Sequence, residues 1–160
     1  MNGAASGLRE RLKKTIAISR LGQGMDLGHL NEYAHQIALY LLLKVFYREI
    51  NNNQQRRKQD LITMVEQIVR EMKLDYSRDQ LERLVDGILY AGDPRQQSAF
   101  STMLYDEKNL DFREFKYRYL IPDREASQWV QGGTTVYRLT DIAQEIIFIT
   151  REIFRNLALT

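Results

Sequence analysis

Residues 112–121 read Phe112-Arg113-Glu114-Phe115-Lys116-Tyr117-Arg118-Tyr119-Leu120-Ile121. Phe115, Tyr117, Tyr119 and Ile121 fall on one side of a period of two, with Lys116 and Arg118 on the other. That period and the aromatic content predict a half-buried β-strand. Pro122 ends it, and a polar tip over 123–131 follows, with Trp129 in it. Gly132-Gly133 turns the chain into 134–140, where Val136 and Arg138 alternate with Tyr137 and Leu139. The two alternating segments predict a hairpin over about 112–140 with a long tip.

Helical periods flank this hairpin. Residues 30–50 place Leu30, Tyr33, Ala34, Ile37, Ala38, Leu41 and Val45 at helical spacing, and Leu42, Leu43 and Phe46 widen the apolar face. A helix apolar nearly all round is expected to be central and covered on several sides. Residues 51–59 read as a polar linker whose Arg56-Arg57-Lys58 is expected to be a solvated loop. A second helix is expected over 60–73. A third opens at the capping box Ser77-Arg78-Asp79-Gln80, with Leu81, Leu84, Val85, Ile88 and Leu89 inward. Asp93-Pro94 announces a further short helix.

After the hairpin, Thr140 caps a last helix with Asp141 in its first turn. Ile142, Ile146, Ile149, Ile153 and Leu157 are spaced 4, 3, 4 and 4, close to a heptad seam. With no stop signal before Thr160, this helix is expected to continue beyond it. At the other end, Ser6 is positioned to cap a basic amphipathic helix within 1–24, which Gly22 and Gly24 close. Gly22-Gln23-Gly24 lacks the preceding strand and following Lys-Ser/Thr of a phosphate loop and reads as a hinge.

Three helices, a hairpin with an aromatic inner face and another helix form the order of a winged helix-turn-helix domain. The expected fold is therefore mainly α with a β-hairpin wing: a winged helix over 25–140, the basic helix before it and an outgoing amphipathic helix over 141–160.

Gly133-Thr134-Thr135-Val136-Tyr137-Arg138-Leu139-Thr140 resembles the second wing strand of many bacterial winged-helix domains. Together with Thr150-Arg151-Glu152-Ile153-Phe154 and Leu157, it resembles the amino-terminal domain of MukF-type bacterial kleisins. The resemblance covers residues 133–157. The chain departs from the family in Ala143, where the family often has Gly, and ends before the family's central and carboxy-terminal binding regions. The resemblance implies a homodimerising subunit of an SMC-type complex in chromosome condensation or plasmid defence. It also implies an SMC-like ATPase as partner and a nucleoid-associated location.

Composition narrows the chemistry. Of 160 residues, 44% are hydrophobic and 28% charged, so a core can form without a staple. There is no cysteine, which excludes disulfides, thiolate metal sites and a cysteine nucleophile. A mean hydropathy of −0.45 and charges within every long apolar run argue against a membrane span. The amino terminus lacks the apolar run of a signal peptide, so the expected location is cytoplasmic. His29 and His35 are six apart, a spacing unsuited to shared metal ligation on a helix. His35 is expected to be a buried or boundary residue with one hydrogen bond. No serine, carboxylate pair or histidine forms a recognisable catalytic set, so neither an enzyme nor a cofactor is expected.

Charge is uneven. Residues 1–24 hold five cations against Glu10, a net +4, which leaves −2 for the rest of a chain of net +2. The helix expected to read DNA has Arg78 and Arg83 against Asp79, Glu82 and Asp86, which disfavours entry into a groove. Candidate contacts to a DNA backbone are Lys116, Arg118 and Arg138 on the wing's outer face and Arg124 at its tip, the simpler reading being a solvated face. Trp129 either folds back on the wing or anchors a partner. Ile146, Ile149, Ile153 and Leu157 are expected to pack on another chain, against the competing reading that they return to the domain's own long helix. The function these features favour is a non-enzymatic dimerisation and docking module of a kleisin-like subunit. The runner-up is a free-standing winged-helix DNA-binding regulator or replication-type protein.

Overall fold

The computed structural model describes residues 7–128 and 134–159. It is mainly helical, with two small antiparallel ladders. Helix α1 (Leu8–Arg20) starts with Gly7 in the capping position; the expected cap, Ser6, lies outside the described residues. The expected central helix divides into a 3-10 turn (Gly28–Glu32) and α2 (Ala34–Ile50). Two bonds to Leu27 hold the start of the 3-10 turn. Asn31 Oδ1 accepts from the Leu27 amide at 2.9 Å, and Gln80 Nε2 donates to the Leu27 carbonyl at 2.9 Å. The Asn31 bond, a local side-chain contact to the backbone, competes with the α-helical ladder.

Helix α3 (Lys58–Glu71) begins two residues before the expected start, because Asp60 Oδ2 accepts from the Arg57 amide at 2.9 Å and fixes the first turn there. Helix α4 (Arg78–Leu89) opens at the expected box. The Gln80 amide donates to Ser77 Oγ at 3.2 Å, and the Ser77 amide to Gln80 Oε1 at 2.9 Å. A 3-10 turn (Pro94–Gln96) follows, capped by Asp93 as expected.

The expected hairpin is replaced by a different pairing. Strand β1 (Phe100–Asp106), absent from the sequence expectation, pairs with β2 (Asp111–Tyr117), Phe100 opposite Tyr117 and Asp106 opposite Asp111. The Asp106 carboxylate closes their turn, accepting from the Lys108 and Asn109 amides and from Asn109 Nδ2. The second half of the alternating run is a separate strand, β3 (Leu120–Pro122), and only this part pairs with β4 (Tyr137–Leu139). Between the two ladders the chain slips phase: Arg118 and Tyr119 belong to neither strand, and Tyr117 and Leu120, three residues apart, are both buried. The slip is held at Arg118. Its carbonyl accepts from Thr140 Oγ1 at 2.6 Å, while its guanidinium donates to the Gln97 carbonyl at 2.7 Å and lies 5.8 Å from the Tyr90 ring.

Helix α5 (Arg124–Gln128) occupies part of the expected tip, and α6 (Asp141–Leu159) closes the chain. The core joins α2, α3 and α4 with the inward aromatics Phe100, Phe115, Tyr117 and Tyr119, whose successive ring centroids lie 5.0–5.7 Å apart. Tyr119 is completely buried and donates to the Ala17 carbonyl at 2.6 Å, tying α1 to the strands; burial pushes its phenol pKa up. Helix α1 packs along β1 and α6, and Arg9 reaches the Leu104 carbonyl at 2.7 Å. Among the described residues no helix is long and apolar enough to cross a membrane.

Candidate functional site

Helix α2 has two apolar stripes. Ile37, Ala38, Leu41, Leu42 and Val45 are fully buried against α3, α4 and β4. The second stripe, Leu39, Leu43, Phe46, Tyr47 and Ile50, recurs at helical spacing but is only partly covered. An apolar helix is covered all round only if enough neighbours reach it, and here one side stays open. Helix α6 approaches that side. Ile147 is buried, whereas Phe148 is 48% exposed and meets Phe46 edge-on with centroids 5.9 Å apart. Tyr47 and Ile50 are 53% and 58% exposed on the facing wall.

The result is a groove of about 890 Å³ between α2 and α6, lined by the open stripe with Ile147, Phe148, Thr150 and Arg151. It continues past Leu39, Leu43 and Tyr47 into a hollow of about 610 Å³ reaching His35, Tyr40, Lys44 and Met72. Among the described residues the Arg and Lys side chains lining the two hollows are Arg151 in the first and Lys44 in the second, the latter 5.0 Å from the Tyr40 ring, and no Asp or Glu lines either. Tyr40 donates to Glu71 at 3.1 Å, and this bond to a carboxylate raises the phenol pKa. His35 Nδ1 is bonded to the Leu21 carbonyl at 2.8 Å, the boundary role expected of it.

The sequence-named interface residues divide. Ile146 is 1% exposed and points with Ala143 and Ile147 into the chain's own core, so at this turn α6 packs back on its own domain. Ile149 is half-buried. Trp129 and the side chains of Ile153 and Leu157 lie outside the described residues. Among the described residues of α6, Phe148 is the exposed large apolar one, beside the heptad seam rather than in it.

Lys116, Arg118 and Arg138 do not share the outer face expected of them, because that face assumed one hairpin. Lys116 stands opposite Ser101 in the first ladder, exposed, 3.9 Å from Glu114. Arg118 is engaged at the phase slip. Arg138 stands opposite Ile121 in the second ladder, and Arg124 opens α5, exposed. Lys116 and Arg118 do border a hollow with Lys13 and Lys14, but Glu10, Asp141 and Glu145 border it too. Lys13 pairs with Glu10 at 3.0 Å and Lys14 with Glu145 at 3.3 Å, so much of that charge is compensated locally.

The expected solvated loop at Arg56 is also overturned. Arg56 is 4% exposed and donates to the carbonyls of Asn53 (2.9 Å) and Tyr137 (2.7 Å), with Asp123 at 3.4 Å. Its carbonyl accepts from the Tyr137 amide at 2.9 Å, so the linker extends the β3–β4 ladder instead of facing water. Beside it Glu49 accepts from the Leu139 amide at 3.0 Å. Burial raises the Glu49 pKa, and the Leu139 bond and the charges of Arg56 and Arg138 offset this only in part.

A carboxyl whose pKa is higher folded than unfolded binds its proton more firmly in the folded state. Its contribution favours folding below the unfolded value and is lost as pH rises through the folded one. Glu49→Gln keeps an acceptor for Leu139 and removes this loss. The variant is expected to match or exceed the parent in urea midpoint at pH 7, the advantage shrinking as pH falls toward the ordinary glutamate range. A growing advantage at acid pH would contradict the assignment.

Among the described residues no three His, Asp or Glu side chains are grouped as metal ligands. No protein-family model, curated protein or solved structure matches the chain.

Proposed function

We propose that this chain is a non-enzymatic dimerisation and docking module, a winged-helix domain of the kleisin-like type serving an SMC-type DNA-organising complex. The observation that carries the reading is the open apolar groove at the departure of α6 from α2, with Tyr47, Ile50 and Phe148 each about half exposed. Apolar surface gathered in one place marks an interaction site more often than isolated exposed residues do. The order of three core helices, a β ladder and an outgoing helix supports the winged-helix assignment. The resemblance over 133–157 supports the kleisin-like one. In this reading Ile149, Ile153 and Leu157 carry self-association, which joins two complexes, and the groove receives a partner.

In light scattering over a concentration series, the mass is expected to rise from 18.9 kDa toward about twice that value. Ile149→Asp with Ile153→Asp is expected to abolish the rise while leaving the circular dichroism unchanged. A mass fixed at the monomer value at every concentration would sink the dimerising part.

A further inference from the structure

We infer that the α2–α6 groove receives an amphipathic helix of a partner chain whose apolar stripe is flanked by acidic residues; this rests on the docking reading above. From Leu39 to Ile50 the open stripe spans eleven residue steps, about 16 Å at the helical rise. That length accommodates three turns of a partner helix, with apolar residues at i, i+3 or i+4, and i+7. The groove's walls are two helices whose backbones are internally bonded. It therefore offers no strand edge to an extended peptide, and side chains alone must provide the contact.

Charge selects among helical occupants. Each hollow has a cation on its lining, Arg151 in the first and Lys44 in the second, and among the described residues no carboxylate lines either. Glu71, near one end, is bonded to Tyr40. A second copy seated face to face would set this cationic rim against its own likeness across a two-fold axis, a repulsive arrangement. A helix with Glu or Asp beside its apolar stripe meets the same rim favourably and finds its apolar residues opposite Phe46, Tyr47 and Phe148.

The test uses labelled helical peptides of about 15 residues, long enough to span the stripe, one Glu-flanked and one Lys-flanked on the same Leu stripe. Fluorescence anisotropy with the full chain is expected to show the Glu-flanked peptide bound at least about tenfold more tightly at low salt, the gap narrowing as salt rises. Lys44→Glu with Arg151→Glu leaves the apolar lining intact and is expected to invert the preference. Tyr47→Asp with Phe148→Asp, both exposed positions, is expected to abolish binding of either peptide.

Equal binding of the two peptides, or a preference unmoved by charge reversal, overturns the inference. So does failure of both to bind. If that failure accompanies a dimer lost in the Tyr47/Phe148 variant, the occupant is a second copy and the docking reading survives. If it accompanies a chain that stays monomeric, both fall.

Discussion

Arg56→Ala is expected to lower the unfolding free energy by about 3 kcal/mol at neutral pH, the scale of breaking a buried charged contact by removing one partner. The side chain is almost wholly enclosed and joins three segments distant in sequence: the end of α2 through the Asn53 carbonyl, β4 through the Tyr137 carbonyl, and the residue after β3 through Asp123. Truncation leaves two carbonyls without their donor and removes a countercharge from Asp123 and Glu49. Lysine would restore the charge but not the fork, since one ammonium cannot reproduce the planar spread of donors that serves both carbonyls. Arg56→Lys is accordingly expected to recover only part of the loss. Because part of the penalty is uncompensated negative charge on Glu49, whose pKa burial raises, the cost should be smaller near pH 4 than at pH 7. Urea titrations of parent and variant at the two pH values measure both effects. A loss below about 0.5 kcal/mol, the range of an ordinary surface change, would mean that water replaces the guanidinium.

Arg56 also shows where the sequence could and could not be read. Local signals were legible. The capping box at Ser77 and Gln80, the cap at Asp93, the burial of the third helix's apolar stripe and the boundary role of His35 all depend on neighbours within a few residues or on periodicity. What failed was long-range. A cationic run in a polar linker reads as solvated until another strand arrives to accept its hydrogen bonds, and β4 lies some eighty residues on. The alternating run 112–121 was correctly extended but wrongly continuous. A period of two predicts faces only while the strand keeps its phase, and Arg118 breaks it through contacts to Gln97 and Thr140. The neglected partner was visible in part: Phe100, Thr102 and Leu104 alternate with Ser101 and Met103 just after the Pro94 turn. The groove had a signal too. The stripe from Leu39 to Ile50 is as regular as the buried one beside it, and composition cannot tell which of two apolar stripes the fold will leave open.

Gly22→Ala is expected to be the other severe change, costing about 3 kcal/mol and lowering the melting temperature by roughly 6–12 °C. Two effects act at one atom. Gly22 has φ of +75°, where an L side chain loses about 1–2 kcal/mol to its own backbone. A Cβ there would also stand 2.6 Å from the Ala34 carbonyl oxygen and 2.9 Å from its carbon. That neighbour is helix backbone, held by the first turn of α2, so it cannot rotate away as a side-chain tip would. Gly24 is the control within the same loop: its φ is +83° but nothing lies within 4 Å of the position a Cβ would take. Gly24→Ala is expected to cost about 1 kcal/mol, the conformational part alone. The difference between the two variants therefore measures the contact. It also distinguishes a hinge from a clamp. A hinge would relieve the clash by swinging α1 away at little cost, giving similar melting temperatures for the two variants. A clamp keeps α1 in place: Tyr119 holds the Ala17 carbonyl, His35 the Leu21 carbonyl and Arg9 the β1–β2 hairpin. With α1 fixed at three points, Gly22 has nowhere to move, and the full penalty should appear in the melting temperature.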